Sequence, residues 1–522
     1  MEALTSGASV SGGRATGGAL VFVGFMGAGK SSSARSVAAR LNVRALDSDR
    51  ELEAELGEPI EAFFDREGEE AFRGREEETV LGLLARPDAE VVALGGGALG
   101  SERVREALRA HTVVHLEVEA DKAWRRATGK GRPLARDRGR FDQLHGDRRA
   151  LYESVADAVL PDAGREVARS ALPGLLALRE ARRSGLGLKM VWAQTGSGGY
   201  PVFIGHGLIA AGFFHPEGVR RFVITDPNVA DRHRVAGEHT VTIGAGEEHK
   251  SIATAESVLR ALARAGAERG DVVAAVGGGV VGDVAGFCAA IYQRGMGHVQ
   301  VPTTLVAQVD SAYGGKTGVD LPEGKNYAGA YHQPSAVVCD LAALKTLPPE
   351  EHAAGYAEVV KTALIAGGPL WARVRSAGEV DEQTIIGCLR LKLDTVAADE
   401  RDGGRRQVLN LGHTVGHAIE AATGYTRYRH GEAVGIGLLA ALRLSGKDAL
   451  RGEVAELLAG RDLPLSFSGA SVEDVVTLTG RDKKRSQGRV PFVLVKAPGE
   501  VTPGHEVTPE NLRAAVEEVR EG

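Results

Sequence analysis

The sequence contains few cysteines and no long apolar segment. Its three cysteines, Cys288, Cys339 and Cys388, show no paired spacing among the 522 residues, which argues against a disulfide framework. Such usage is typical of a reducing compartment, and we expect a cytoplasmic protein. Asp and Gly interrupt the longest apolar runs, so none approaches the length of a membrane span. Residues 1–17 lack the apolar core of a signal peptide and are expected to form a flexible tail.

Net positive charge is also absent. The formal net charge is −6, so no overall field attracts nucleic acid or an anionic membrane, and neither is expected as a partner. Anionic substrates would therefore need local cationic pockets. The hydrophobic fraction of 43% and the charged fraction of 25% are those of a globular protein. A chain of this length is too long for one core, and two or three domains are expected.

Glycine, in contrast, is abundant, with 70 residues, many of them in clusters. The first cluster follows the apolar residues 19–23 and reads GFMGAGKS over residues 24–31, ahead of a helical pattern that runs to Leu41. This is the GxxxxGKS motif in its required context of strand, loop and helix, where backbone N–H groups cradle phosphates. Lys30 would reach the terminal phosphates, and Ser31 would hold magnesium. The residues of the predicted ATP site are Gly27, Ala28, Gly29, Lys30, Ser31 and Ser32.

Polar residues and glycines follow the later predicted strands of this segment. Asp47 and Asp49 stand at the end of a short strand, where the period of two would point both carboxylates to one side. A second strand, residues 91–94, runs into three glycines, residues 95–97. Residues 129–140 are rich in Gly and Arg, and a basic flap of this kind suits closure over phosphates.

Taken in order, these motifs resemble a shikimate kinase, a small P-loop kinase of the nucleoside-monophosphate-kinase type, over residues 19 to about 165. The resemblance rests on GFMGAGKS, Asp47 and Asp49, Phe72-Arg73, the glycines 95–97, Arg132-Pro-Leu and Arg148. It implies an α/β fold with a parallel sheet, and phosphorylation of shikimate by ATP with Mg²⁺. It implies that shikimate is bound by Asp49, Arg73, Gly95, Gly96, Gly97 and Arg148. It further implies magnesium at Ser31 and Asp47, ATP contact by Arg132, and catalysis by Lys30, Asp49 and Arg132.

The second half of the chain is densest in polar residues between 392 and 432. His413 and His417 are four residues apart, so they would share one helix face, and His430 follows. Such a set can hold a catalytic zinc, but this spacing also occurs on helices whose polar rings are simply satisfied. The same segment contains Lys392, Arg406 and Asn410, which favour an anionic ligand. Upstream, Glu358 and Lys361 would share a helix face, where a surface ion pair is the default interpretation.

A second strand–glycine–helix pattern spans residues 272–283. Its glycines, 277–279 and 282, could approach a dinucleotide pyrophosphate, and Asp226 at the end of an earlier strand could accept ribose hydroxyls. The pattern is not GxGxxG, so the standard fingerprint gives little support.

From about residue 190 to the end, the chain resembles 3-dehydroquinate synthase, within the sugar-phosphate cyclase group. The matching residues are 277–283, Pro302-Thr-Thr, Asp310, residues 314–317, Lys325-Asn326, Glu358, Lys361, Lys392, Arg406, Asn410, His413, His417, residues 430–432 and Asp482-Lys-Lys. The resemblance implies an α/β NAD-binding domain and a helical metal-binding domain, with the active site between them. It implies NAD⁺-dependent and metal-dependent conversion of 3-deoxy-D-arabino-heptulosonate 7-phosphate into 3-dehydroquinate and phosphate.

The resemblance also assigns residues to each ligand. It implies zinc (or Co²⁺) held by Glu358, His413 and His430, with His417 a catalytic residue and not a ligand. NAD⁺ would contact Asp226, Glu247, Lys250, Gly278, Gly279, Val280, Asp283, Thr303, Thr304, Asp310, Lys316 and Lys325. The substrate would contact Arg294, Asp310, Lys316, Asn326, Lys361, Lys392, Arg406, Asn410, His417 and Lys483. Catalysis would involve Lys316, Lys361, Lys392 and His417.

These considerations predict five segments: a tail (1–17), a kinase-like domain (18–165), a closing helix and linker (166–187), an NAD-binding subdomain (188–347) and a mainly helical metal-binding subdomain (348–522). The resemblance also implies a homodimer through the synthase part. Three alternatives stay open: another sugar-phosphate cyclase, a metal-dependent polyol dehydrogenase, and a decayed, nucleotide-sensing kinase half. The dehydrogenase would not need the cations around residues 392–406, and retention of Lys30, Asp49 and Arg132 argues against decay.

Overall fold

The computed structural model describes residues 18–128, 137–161, 164–376, 378–480 and 491–521. The chain divides into two compact units, Met1–Leu186 and Gly187–Gly522. Within the described ranges, no helix is both long enough and apolar enough to cross a membrane. The predictions for the tail, for Arg132 and for Lys483 fall outside the described residues.

The first unit is built on a five-stranded parallel sheet. Its elements are β1 (Leu20–Val23), α1 (Lys30–Leu41), β2 (Ala45–Asp47), α2 (Ser48–Leu56), α3 (Ile60–Leu84), β3 (Val91–Ala93), α4 (Glu102–Leu108), β4 (Thr112–Leu116), α5 (Ala120–Ala127), α6 (Arg138–Val155), β5 (Ala158–Leu160) and α7 (Arg165–Arg183). The strand order is β2-β3-β1-β4-β5. All four residues of the central strand β1 are buried, as expected for a parallel strand that is covered on both faces.

Local structure in this unit corrects one prediction. β2 ends at Asp47 and α2 begins at Ser48, so Asp49 lies in the first turn of a helix and not on the strand. The strand period therefore does not relate the two carboxylates. Asp49 and Glu51, both in the first turn, are favoured there by the positive end of the helix dipole.

The second unit begins with an α/β part. Its elements are β6 (Leu188–Thr195), β7 (Gly198–Gly205), β8 (Arg221–Thr225), α8 (Pro227–Ala230), β9 (His239–Thr242), α9 (Ile252–Arg264), β10 (Val272–Gly277), α10 (Gly279–Ile291), β11 (Gly297–Pro302), β12 (Lys316–Leu321), β13 (Gly324–Tyr331) and β14 (Ala336–Asp340). The strand order is β6-β7-β14-β11-β10-β8-β9, in which β6 and β7 pair antiparallel and the other neighbours pair parallel. β12 and β13 form a separate antiparallel hairpin.

The remainder of this unit is mainly helical. Its elements are α11 (Pro349–Ala366), α12 (Gly368–Arg375), α13 (Glu382–Ala398), α14 (His413–Ala422), α15 (His430–Leu444), α16 (Asp448–Ala459), α17 (Val472–Thr479), β15 (Phe492–Ala497), β16 (Glu500–His505) and α18 (Pro509–Glu517). One apolar core joins these helices to β6, β7 and β14. A second core packs α9 and α10 against β8 and β10. The helical part begins at Pro349, with α11, and the first core joins it to the α/β part.

Candidate active sites

In the first unit, the glycine-rich loop lies between β1 and α1, at the carboxyl end of the central strand. Gly27 and Gly29 have φ values of 86° and 91°, which side-chain-bearing residues rarely adopt, and a Cβ at Gly27 would lie 2.7 Å from the carbonyl oxygen of Ala123. Lys30 Nζ folds back over the loop and donates to the carbonyl oxygens of Gly24 (2.9 Å) and Phe25 (3.2 Å). The first-turn N–H groups of α1 face the loop, so this is a phosphate-binding geometry.

A cavity of about 460 Å³ in the same unit contains several of the residues predicted to bind shikimate. Its lining includes Arg73, Gly96, Gly97, Arg148 and Tyr152. Arg148 Nη1 donates to the carbonyl oxygen of Gly96 at 2.8 Å, and the Tyr152 hydroxyl donates to the same oxygen at 2.7 Å. Burial raises the pKa of Tyr152 to about 12, so it stays a donor. Two fixed guanidinium groups in one cavity suit a carboxylate ligand.

The glycines beside this cavity leave room for the ends of three charged side chains. A Cβ at Gly95 would lie 2.6 Å from Asp49 Oδ1 and 2.6 Å from Glu76 Oε1, and a Cβ at Gly97 would lie 1.9 Å from Arg73 Nη1. Asp49 and Arg73 therefore both lie beside the glycine turn. Glu76, which no motif of the sequence indicated, is buried and accepts a hydrogen bond from Arg73 Nη1 at 2.6 Å.

In the second unit, one cleft of about 1700 Å³ brings together most of the predicted synthase residues. The predicted residues in its lining are Asp226, Glu247, Lys250, Gly278, Gly279, Val280, Asp283, Thr303, Thr304, Asp310, Lys316, Lys325, Asn326, Glu358, Lys392, Arg406, Asn410, His413, His417 and His430. Two predicted residues of the described chain are absent from this lining. Lys361 is buried behind the cleft, and Arg294 ends a short 3-10 turn that follows α10.

The α/β side of the cleft has the features of a dinucleotide site. β10 ends at Gly277 and α10 begins at Gly279, so the helix N-terminus opens at the carboxyl end of a parallel strand. Lys250 Nζ lies 2.5 Å from Asp283 Oδ2 on that helix. The buried hydroxyl of Thr303 has no hydrogen-bond partner among the described residues, which leaves a polar group for a ligand. A dinucleotide pyrophosphate fits this position.

Buried charges of alternating sign connect the two sides of the cleft. Lys361 Nζ contacts Asp310 Oδ2 at 3.2 Å and also contacts Glu358, and both members of the Glu358–Lys361 pair are 1% exposed. The default interpretation of this pair as a surface ion pair is therefore wrong, because α11 is buried on nearly all sides. Asp310 also contacts Lys392. Burial lowers the pKa of Lys392, and its cationic neighbours Arg406 and Lys361 lower it further.

Two further cations are held by specific partners. Arg406 donates through Nη1 to the carbonyl oxygen of Glu400 (2.6 Å) and through Nη2 to that of Gly314 (3.1 Å). Lys316 Nζ lies 2.5 Å from Asp402 Oδ2. Asp402 was not selected from the sequence, although it stands four residues before Arg406. The cleft thus concentrates cations despite the negative net charge of the chain.

The candidate metal centre lies where α11, α14 and α15 meet. Glu358 Oε1 lies 3.6 Å from His413 Nε2 and 3.5 Å from His430 Nε2. Zinc binds N and O ligands at about 2.0–2.1 Å in tetrahedral sites, which places ligand atoms about 3.4 Å apart. Glu358 Oε1 is buried and accepts no hydrogen bond within the described part of the chain. The donor set and its spacing therefore fit a divalent metal ion.

His417 lies close to this set. Ring nitrogens of His413, His417 and His430 lie within 4.8 Å of one another, and the rings of His417 and His430 are stacked at 5.7 Å. The contacts of Glu358 favour His413 and His430 as its co-ligands, although the three histidines by themselves are also close enough to hold an ion. His417 remains beside the centre, facing the cleft.

Comparisons with known proteins match each unit to a family. The family model described as shikimate kinase matches residues 26–175. The models for the N-terminal and C-terminal parts of 3-dehydroquinate synthase match residues 240–354 and 355–485. Both resemblances stated from the sequence are thereby confirmed.

Individual relatives agree with the family models. The 3-dehydroquinate synthase of Symbiobacterium thermophilum is 42% identical over 357 residues, which are 63% of this chain and 99% of that protein. The enzyme of the same name from Halorhodospira halophila is 41% identical over 347 residues, 62% of this chain and 98% of that protein. A solved structure of 2-epi-5-epi-valiolone synthase from Streptomyces hygroscopicus subsp. jinggangensis 5008 is similar with a TM-score of 0.55 and 25% identity, over 61% of this chain and 96% of that one. The chain belongs to the 3-dehydroquinate synthase family and carries a shikimate kinase domain ahead of the synthase.

Proposed function

We propose that this chain is a bifunctional enzyme of aromatic biosynthesis. One activity transfers the γ-phosphoryl group of ATP to shikimate and forms shikimate 3-phosphate. The other converts 3-deoxy-D-arabino-heptulosonate 7-phosphate into 3-dehydroquinate and inorganic phosphate. The observation that carries the proposal is the 1700 Å³ cleft, which collects a glycine turn, a cation cluster and a Glu–His–His centre in a chain 42% identical to a 3-dehydroquinate synthase.

In the kinase unit, the glycine-rich loop and Lys30 bind the ATP phosphates, and Ser31 with Asp47 organises Mg²⁺. Arg73 and Arg148 bind the shikimate carboxylate. Their presence together in the lining of the 460 Å³ cavity supports this role. Asp49 accepts the proton of the attacking hydroxyl or holds it in line. Phosphoryl transfer needs mostly positioning and charge neutralisation, and these residues supply both.

In the synthase unit, the turn between β10 and α10 would hold NAD⁺, and Glu358, His413 and His430 would hold zinc or Co²⁺. The valiolone synthase of similar fold has NAD⁺ and Zn²⁺ bound, which supports both ligands. When bound, they supply a reversible hydride acceptor and a Lewis acid at the substrate hydroxyl. The overall conversion involves no net oxidation, so it would consume no dinucleotide.

The chain's own residues hold the substrate anion and move its protons. Lys316, Lys392 and Arg406 bind the phosphate and carboxylate groups, and Asn326 and Asn410 position hydroxyls. His417, beside the metal centre and open to the cleft, is placed to exchange a proton with the phosphate or with a substrate hydroxyl. Loss of phosphate, ring opening and ring closure then give the carbocycle.

We further propose a homodimer formed through the synthase part and a cytoplasmic location, with residues 18–165 as the kinase-like domain, 188–347 as the NAD-binding subdomain and 348–522 as the metal-binding subdomain. The resemblance to the synthase family supports the homodimer, and the small-molecule substrates and the low cysteine content support the location.

The kinase assignment is tested by coupled measurement of ADP formation with and without shikimate. We expect shikimate to stimulate turnover strongly, and ATP hydrolysis indifferent to shikimate would contradict the assignment. The synthase assignment is tested by incubating the heptulosonate phosphate with NAD⁺ and zinc and identifying the organic product by NMR. Recovery of a carbocycle other than 3-dehydroquinate would place the unit with another sugar-phosphate cyclase.

A further inference from the structure

Glu420, near the end of α14, connects the candidate metal centre to the α/β part of the same unit. Its side chain is 3% exposed. Its Oε2 atom lies 3.2 Å from His430 Nδ1, and its Oε1 atom lies 3.1 Å from Lys325 Nζ on the β12–β13 hairpin. One buried carboxylate thus contacts a candidate metal ligand with one oxygen and a residue of the candidate dinucleotide site with the other.

The contact with His430 sets the orientation of its ring. His430 Nε2 faces Glu358 Oε1 at 3.5 Å, so its Nδ1 must carry the proton that Glu420 accepts when Nε2 binds a metal ion. His413 has the corresponding arrangement, with Nδ1 3.2 Å from the carbonyl oxygen of Leu411. A carboxylate behind an imidazole fixes the tautomer and raises ligand basicity more than a neutral carbonyl does.

The contact with Lys325 limits the movement of Glu420 from the other side. Lys325 Nζ also lies 3.4 Å from Glu247 Oε1 and 4.7 Å from the centre of the Tyr425 ring. The ammonium group thus has three neighbours besides its own hairpin, and it contacts Glu420 through Oε1. His430 contacts the same carboxylate through Oε2. A change at Lys325 reaches the metal centre through this carboxylate.

We propose that Glu420 is a positioning residue for the metal ligand His430, and that Lys325 is energetically coupled to metal binding through Glu420. This inference rests on the proposed metal centre, since it concerns the second contact of one of its ligands. It predicts that metal affinity depends on a lysine of the hairpin, which the sequence-based roles assigned only to dinucleotide binding.

The test measures Zn²⁺ affinity of the full-length, metal-stripped protein by competition with a chromophoric chelator, without dinucleotide or substrate. The variants are Glu420→Gln, Lys325→Met and their combination, with Glu453→Gln, a partly exposed carboxylate on α16 that pairs with Arg375 at 3.1 Å, as the charge-matched control. Loss of a residue that orients a metal ligand typically lowers affinity by about 10- to 100-fold, and we expect a loss in this range for Glu420→Gln. We expect a smaller loss for Lys325→Met, and no further loss when it is added to Glu420→Gln.

The visible absorption of the Co²⁺-loaded protein provides a second readout, because it reports the ligand field and not overall stability. We expect Glu420→Gln to shift this spectrum and Glu453→Gln to leave it unchanged. Wild-type affinity and an unchanged spectrum in Glu420→Gln would overturn the positioning role. Additive losses in the double variant would overturn the coupling to Lys325. If Glu420→Gln fails to fold, wild-type Zn²⁺ affinity in the partly exposed Lys325→Met variant would by itself overturn the coupling.

The same Zn²⁺ titration distinguishes an error in the proposed metal centre from an error in the role of Glu420. If wild-type protein bound no Zn²⁺ in this assay, the metal centre itself, and the inference with it, would be wrong. Tight binding by wild type, abolished by Glu358→Gln but unaffected by Glu420→Gln, would retain the centre and overturn only the inference.

Discussion

Lys361 lies between two carboxylates in a region from which water is excluded. Burial lowers the pKa of Lys361, but the charges of Asp310 and Glu358 outweigh this effect and raise the pKa above its ordinary value. The lysine therefore stays charged and offsets the two carboxylates when no metal ion is bound. Without Lys361, two buried carboxylates would lose a compensating charge.

Replacing this lysine should destabilise the metal-free synthase unit. Lys361→Met leaves Asp310 and Glu358 with less compensation, and breaking a buried pair in this way costs about 3–5 kcal/mol. We expect the thermal transition of the synthase unit to fall by several degrees in the metal-free protein, and Zn²⁺ to restore part of the loss. Calorimetry of Lys361→Met beside the exposed control Lys345→Met measures this. Equal transitions in the two metal-free variants would contradict the account.

The glycine turn of the kinase unit permits a second prediction for a single residue. A Cβ at Gly97 would lie 1.9 Å from Arg73 Nη1, so Gly97→Ala must displace this guanidinium group. A hydrogen bond to a charged group contributes about 1.5–3 kcal/mol, so we expect the KM for shikimate to rise roughly 10- to 100-fold. The KM for ATP should change little.

The control for this variant is Gly82→Ala, because a Cβ at Gly82 has no neighbour within 4 Å. Steady-state kinetics with each substrate varied in turn separate the two constants. A Gly97→Ala enzyme with wild-type KM for shikimate would show that Arg73 does not bind it.

At the level of elements, the loop from α13 to α14 holds two cleft residues in place through one carboxylate. Asp399 accepts from the backbone N–H groups of Gly403 (2.9 Å), Gly404 (2.8 Å) and Arg406 (3.0 Å). These bonds shape the segment that carries Asp402 and Arg406. The loop is therefore a structured part of the cleft, although it has no regular secondary structure before residue 405.

Asp399→Asn should loosen this loop without removing any group that contacts substrate. The neutral amide presents one acceptor oxygen in place of two, so at least one of the three N–H groups loses a charge-assisted bond. We expect kcat/KM for phosphate release to fall by roughly tenfold or more, mainly through KM. The exposed Asp448→Asn serves as control, and unchanged kinetics in Asp399→Asn would show that the loop keeps its shape without this carboxylate.

The sequence predicted some elements well and others not, for physical reasons. Strand, glycine turn and helix at residues 19–41 and 272–291 depend on local signals, and both patterns occur in the fold. The change from strand to helix at Ser48 was missed, because the alternation of side chains along a strand does not show where the strand ends. The π-helix Ala307–Ser311 was not predicted, and its Asp310 contacts Lys361 and Lys392, which are more than 50 residues away in the sequence.

The same distinction applies to the sites. Residues recognised through a family motif, such as His413 and Arg406, line the cleft as expected. Glu76, Asp402 and Glu420 escaped selection because their importance comes from long-range contacts with already selected residues. Glu420 lies three residues after His417 in the sequence. A carboxylate so close to candidate metal ligands could have been predicted to contact one of them.

For the whole molecule, the two units hold separate sites and catalyse steps that are not consecutive. Dehydration and reduction must intervene between 3-dehydroquinate and shikimate. We therefore expect Lys30→Met to abolish shikimate-dependent ATP turnover and leave phosphate release from the heptulosonate phosphate intact, and His413→Ala to do the reverse. Both assays on each purified variant test this. Loss of both activities in either folded variant would show that the sites depend on each other.

The most direct test of the account is release of inorganic phosphate from 3-deoxy-D-arabino-heptulosonate 7-phosphate by the full-length protein, with NAD⁺ and zinc, before and after chelation. The Glu–His–His centre predicts that chelation abolishes release and that added zinc restores it. Rapid release that persists in fully metal-stripped protein, or no release from folded, metal-loaded protein, would contradict the synthase mechanism proposed for this cleft.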